Sequence, residues 1–208
     1  MSLKTRKAYE KARIAVDPVI FTIDDNKLKI LIKQREKEPH KGRYELPGGL
    51  LRSKETADDT LKRKLREQLG MADTYFIQFS TFTNPNRDLR ERTISIGFIT
   101  LVNSNKIKDL TLWKDYSSLP PLAFDHKEII EKARAYLKEN IDHHLVQHFL
   151  SHIFPLNQLQ NIYELIEEKT YDNRNFRKKM IAAGIVEETD GIEQNVSHRP
   201  AKLFKFKK

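Results

Sequence analysis

At 208 residues, 38% of them hydrophobic, the chain has enough apolar side chains for one core of ordinary size plus a small second domain. No apolar run approaches a membrane span, the N-terminal "MSLKTRKAYEKARIA" lacks the apolar centre of a secretory signal, and the absence of cysteine excludes disulfides and thiolate metal sites. The natural setting is cytoplasmic, and a formal charge of +9 favours a polyanionic partner, nucleic acid or a phosphorylated ligand, although solvated lysines alone also produce such a charge.

Residues 14–35, "IAVDPVIFTIDDNKLKILIKQR", give two β-branched apolar runs around Asp24-Asp25-Asn26, the composition of a hairpin. From residue 48, "GGLLRSKETADDTLKRKLREQLGM" reads as a Gly-Gly turn, a short loop, a helix over residues 56–69 and a glycine stop. On that helix Ala57, Leu61, Leu65 and Leu69 form the buried stripe, whereas Lys64, Glu67 and Gln68, spaced i, i+3, i+4, gather on another face. Three carboxylates gathered this way would hold magnesium or manganese, and this trio supplies one.

Strand-like runs follow at residues 75–82 and 92–102, with Arg87, Asp88, Arg90 and Arg92 clustered just before the apolar part of the second. Guanidinium forks there suit a pyrophosphate or carboxylate partner, or else a charged hairpin loop. Arg35, at a strand end, and Arg43, before "ELPGG", are further candidates for the same ligand, and Trp113 is expected to anchor a core or interface. Asp125 and Glu128 form an Asp-x-x-Glu start signal for a helix that turns Ile129, Ile130, Ala133 and Leu137 inward, with His126 touching a neighbouring loop. This mixed α/β unit ends near Ile141.

The second unit begins with "DHHLVQHFLSHIFPLNQ", where His144, His148 and His152 at i, i+4, i+8 are read as a polar helix surface or junction rather than paired metal ligands. Leu159, Ile162, Tyr163 and Ile166 recur at helical spacing after Pro155, which is expected in the first turn. A second helix over residues 173–183 carries Phe176 and Met180 on one face and is ended by Gly184. Residues 185–189, an Asp190-Gly191 turn signal and "AKLFKFK" complete a helix, turn, helix, hairpin outline, that of a winged helix. Asn173, Arg174, Arg177 and Lys178 lie away from Phe176 and Met180, as base-reading side chains in a major groove would. Arg199 and Lys202 are expected to meet phosphate, alongside Lys205, Lys207 and Lys208.

Gly49, Glu55, Arg63, Leu65, Glu67, Gly70 and Met71 match the Nudix box, G-x5-E-x7-R-E-U-x-E-E-x-G-U, at every spacing. Lys64 and Gln68 stand where Nudix hydrolases have metal-binding glutamates, so the box reads as degenerate over Gly49, Glu55, Arg63, Lys64, Glu67 and Gln68. An ammonium about 4 Å from a would-be cation opposes its binding by roughly 4 kcal/mol at an effective dielectric near 20. Together with "NRDLRERTISIGF", "LPPLAFDHKEIIEKA", "LQNIYE", "DNRNFRKKMIAAGIVEET" and "HRPAKLFKF", the chain resembles the Nudix-related transcriptional regulators. Leu89 departs from the proline often found in the related motif.

The resemblance implies an α+β protein with a Nudix-like α/β/α sandwich and mixed sheet over residues 1–141, then a winged helix-turn-helix over residues 142–208. It implies a repressor that binds an operator in double-stranded DNA, probes ADP-ribose, a related nucleotide or a sugar as effector, and pairs as a homodimer, with no cofactor, catalytic residue or membrane. The alternatives are a Nudix hydrolase of the ADP-ribose pyrophosphatase type, using Glu55 and Glu67 with magnesium, and a binding-only adaptor. The Lys64 and Gln68 pair separates the first from the regulator.

Overall fold

The computed structural model describes residues 10–194 and 200–207, so the expected phosphate contacts Arg199 and Lys208 lie outside the described residues. Strand β1 (Arg13–Asp24) and β2 (Lys27–Leu31) form the expected hairpin, with Asp25 and Asn26 both at positive φ in a two-residue turn. The short strands β3 (Lys33–Gln34), β4 (Tyr44–Glu45) and β5 (Gly49–Leu50) lead into helix α1 (Ala57–Leu69). Strands β6 (Tyr75–Phe82), β7 (Thr93–Leu101) and β8 (Trp113–Asp115) then precede α2 (His126–Glu139). The six-stranded sheet runs β6-β7-β1-β2-β8, with β5 also on β1; β1 and β7 are parallel and the other pairs antiparallel.

Helices cover this sheet on both faces, which is why β1 reads as a continuous apolar run instead of an alternating one. Val16 and Ile20 pack with Leu61 and Leu65 of α1, Phe98 and the buried Trp113 on one side. Val19 and Phe21 pack with Ile129, Ile130, Ala133 and Leu137 of α2 on the other. Thr56 starts α1 through a reciprocal capping box with Asp59, and Gly70, at φ 69°, ends it in the left-handed conformation.

The second apolar cluster continues without a break into the C-terminal unit through Leu145, Val146, Phe149, Phe154, Leu159, Ile162, Phe176, Met180 and Phe204. There α3 (His143–Val146) and β9 (Phe154–Pro155) lead to α4 (Leu156–Glu167), α5 (Asn173–Ala182) and the wing strands β10 (Val186–Ile192) and β11 (Lys202–Phe206), ordered β10-β11-β9. The expected junction at residues 141–142 falls between α2 and α3.

Three local expectations are corrected. Of the two readings of the histidines, the shared helix surface fails, since α3 is one turn long and His152 is in a loop, whereas the junction holds for His148, which lies in a 3₁₀ turn and stacks 4.2 Å from Tyr75 of β6. Asp190-Gly191 is not the hairpin turn but a bulged stretch inside β10, where Thr189 Oγ1 accepts from Gly191 N. Pro155 precedes the first turn of α4, in β9, paired with Leu203.

Candidate effector pocket and nucleic-acid interface

At one end of the large sheet a cavity of about 280 Å³ opens between β1, the Nudix loop, the loop before β7 and the start of α2. Its floor needs a glycine at position 48, because a Cβ there would stand 2.2 Å from Asp17 Oδ1 and 2.5 Å from the Val16 carbonyl oxygen. Four arginines line it, Arg13, Arg35, Arg87 and Arg90, and each meets an acid. Arg13 Nε lies 2.6 Å from Glu91, Arg35 binds Glu45, and Arg90 forms a two-pronged pair with Asp88 at 2.7 and 2.9 Å. Arg87 grips Asp125 through two bonds of 2.8 Å and reaches Asp17 at 3.1 Å.

Burial sorts these four. The Arg87 and Arg35 side chains are 5% and 12% exposed, whereas Arg13 and Arg90, at 56% and 53%, stand at the rim with their acids partly open to solvent. Arg87, expected to meet a ligand, lines the cavity with its Nε and Nη2 bonded to two carboxylates, and Asp125, expected to cap α2, makes no cap bond because its carboxylate is taken by Arg87. Arg43 is exposed and, like Arg92, is absent from the cavity lining. The Phe124 ring sits between two cations, with Arg35 4.7 Å and Arg90 5.4 Å from its centroid.

His126 closes the inner wall. Its Nδ1 accepts a 3.0 Å bond from Leu46 N and is therefore unprotonated, and burial pushes the imidazole below its ordinary value although Asp17 and Asp125 pull the other way. Among the site residues missed from sequence are Arg13, Asp17, Glu45, Glu91 and Phe124. Asp17 inside an apolar strand was the available signal, since a carboxylate there needs a buried partner.

Along α1 the box residues bind one another. Arg63 holds Glu55 at 2.7 and 2.8 Å and reaches Glu67 at 3.3 Å, and Lys64 Nζ lies 2.5 Å from Glu67. The Arg63 guanidinium pulls Glu55 down to about 2, and Lys64 lowers Glu67. Among the described residues no three His, Asp or Glu side chains converge as a metal site requires.

The C-terminal unit presents a basic face. Asp172 caps α5, accepting from Asn175 N, and Phe176 and Met180 turn inward, leaving Arg174, Arg177 and Lys178 exposed. Arg177 pairs with Glu188 of β10 and lies 5.3 Å from the Phe204 ring centroid, while Lys202 stands 3.7 Å from the same Glu188. Arg174 and Lys178 take part in no ion pair among the described residues. Asn173 is engaged within the fold, its Oδ1 accepting a 2.7 Å bond from Gln160.

An α/β/α sandwich carrying a Nudix loop and fused through one core to a winged helix defines a two-domain ligand-sensing class. The NUDIX domain family matches residues 13–133, and the NrtR DNA-binding winged helix domain matches residues 146–206. The chain therefore belongs to the Nudix-related transcriptional regulators of the NrtR kind. An ADPR responsive transcriptional repressor NtrR of Acinetobacter baylyi is 31% identical over 209 residues, spanning 95% of this chain and 83% of that protein. NrtR of Shewanella oneidensis complexed with a 27mer DNA is 29% identical at a TM-score of 0.82, with 93% of each chain covered. The NUDIX domain of that NrtR, complexed with ADP ribose, is 32% identical at a TM-score of 0.51, over 63% of this chain and 92% of that one. An ADP-ribose pyrophosphatase of Methanocaldococcus jannaschii is 35% identical over 134 residues, 62% of this chain and 77% of that enzyme. No helix among the described residues is long and apolar enough to cross a membrane.

Proposed function

We propose that this protein is a cytoplasmic repressor whose Nudix domain, residues 1–141, binds ADP-ribose or a closely related nucleotide, and whose winged helix, residues 142–208, binds an operator as a homodimer. The observation that carries this reading is the union, in one continuous core, of an arginine-rimmed cavity on the Nudix loop and a helix that offers Arg174 and Lys178 to solvent. Arg13 and Arg90 take the pyrophosphate by exchanging Glu91 and Asp88 for phosphate oxygens, with Arg35 and Phe124 forming the flat wall beside them. Arg174 and Lys178 enter the major groove, Arg177 joins them on release from Glu188, and Lys202 holds phosphate. Asn173 is assigned to holding the turn before α5, not to reading bases.

The two activities are one function only if the ligand has different affinities for the DNA-competent and DNA-incompetent arrangements. The test is operator titration with and without saturating ADP-ribose, which should shift affinity by about 5–150-fold, the usual range of a coupling free energy of 1–3 kcal/mol. ADP-ribose that binds and leaves operator affinity unchanged overturns the reading. The 35% identity to a pyrophosphatase supports a hydrolase as the second reading. Turnover with magnesium well above that of a Glu67→Gln control would place it first.

A further inference from the structure

Nudix hydrolases gather carboxylates of the box around a divalent cation, and the residues present here do not fit one. Glu55 is filled by Arg63, by Thr60 Oγ1 at 3.0 Å and by Arg52 N at 3.1 Å; Glu67 is filled by Lys64 and Arg63. Lys64 is more than a missing glutamate. Its side chain is 12% exposed although its helix neighbour Glu67 is 40% exposed, and it lies flat on the Nudix loop. A Cβ at Gly49 would stand 3.2 Å from Lys64 Cδ and 3.8 Å from Nζ, so that Lys64 lies directly behind Gly49, a residue of the cavity wall, and is not itself among the lining residues. A long flexible lysine held down in this way is fixed by packing of its methylenes and by its ion pair.

We infer that the Lys64 ammonium, fixed between Gly49 and Glu67, is the resident cation of this site, so that the protein binds its anionic effector without a divalent metal. This rests on the effector reading above for the ligand, but the cation itself can be tested without one. An ammonium on a tethered chain carries a single positive charge and three donors, and it cannot be removed by a chelator. A second, divalent cation in the same place would meet like charge in a site whose two carboxylates are already neutralised.

The first arm of the test titrates manganese into the protein without nucleotide and follows the free-ion EPR signal. The wild type should retain no manganese at the box, whereas Lys64→Glu/Gln68→Glu should bind one ion per chain and gain thermal stability on adding it. Lys64→Glu alone should gain a weaker site and serves if the double variant does not fold. Manganese binding by the wild type equal to that of the folded variants, or folded variants that gain no site, overturns the inference. The second arm measures ADP-ribose binding by calorimetry in EDTA and in manganese. The wild type should show the same affinity in both, and Lys64→Gln should lose roughly tenfold through the loss of one positive charge behind the cavity wall. Wild-type binding that requires manganese overturns the inference, whereas absence of nucleotide binding beside the expected manganese results overturns the effector reading and leaves the cation assignment standing.

Discussion

His126 gives the pocket an acid limit. Its folded-state pKa is lowered by burial, so the native protein binds this proton more weakly than the unfolded chain does. As pH falls through the unfolded imidazole value of about 6.5, the unfolded state protonates first and stability declines, by up to about 1.4 kcal/mol per pH unit for one such group. His148, also lowered by burial and by Lys106, acts in the same direction. Denaturant melts should therefore show stability dropping between pH 7 and 5, with a shallower drop in His126→Gln; an equal slope in that variant would clear His126 of the role. Arg87 makes a complementary prediction at neutral pH. Arg87→Met leaves Asp17 and Asp125 buried without a counter-charge and should cost about 3–5 kcal/mol in the same melts at pH 7, with lowered pH recovering part of it as the carboxylates protonate. Neither role could be read from local sequence, because Arg87 lies 38 positions from Asp125 and 70 from Asp17, and periodicity carries no information about partners so far apart. The box was a different matter: Glu55, Arg63, Lys64 and Glu67 lie within one loop and one helix, and their spacing alone puts them in contact.

Helix α2 joins the two functional ends. Its N-terminus carries Asp125 and His126 at the pocket, and two turns later Arg134, itself 5% exposed, donates from Nη2 to the Leu165 and Ile166 carbonyls at 3.0 and 2.7 Å. Those are carbonyls of the last turn of α4, where a cation satisfies acceptors that the helix itself leaves free. Lys138, a turn further along, meets Glu168 at the α4 C-cap, and α4 packs on α5. These contacts are the route by which a ligand acting on the start of α2 would reach the seat of α5. Arg134→Lys keeps the charge but not the planar fork, and should leave the separate affinities for ADP-ribose and operator nearly intact while weakening their coupling by about 0.5–2 kcal/mol. Operator titrations with and without ligand check it, and an unchanged ratio would remove α2 from the path. The helices themselves follow from the sequence because their apolar periodicity is strong. The misreadings fell where tertiary structure overrides a local signal: an Asp-Gly pair absorbed into a bulge, regularly spaced histidines where the helix stops after one turn, and an N-cap aspartate claimed by a distant arginine.

The formal charge of +9 has to be placed somewhere before it argues for DNA, since every arginine lining the pocket is matched by an acid. The winged helix offers an uneven distribution instead, with Arg174 and Lys178 exposed on α5 and Arg177 and Lys202 both directed at one wing carboxylate, Glu188. Glu188 holds these two cations, and a carboxylate at this place, brought against DNA, would repel phosphate. Its removal separates the kinds of contact on this face. Glu188→Gln should strengthen binding to operator and to random DNA and steepen the salt dependence, with any added gain on operator coming from Arg177, which the same change frees for the groove. Arg174→Ala should instead cost about 1–3 kcal/mol on operator with a smaller loss on random DNA, as expected for a guanine-reading fork. Fluorescence anisotropy with both DNAs at several salt concentrations distinguishes the two patterns. If Glu188→Gln weakens binding, the Arg177 pair positions α5 for the groove and is not a brake on it; if Arg174→Ala weakens both DNAs equally, α5 lies along the backbone and the reading of bases belongs to another element.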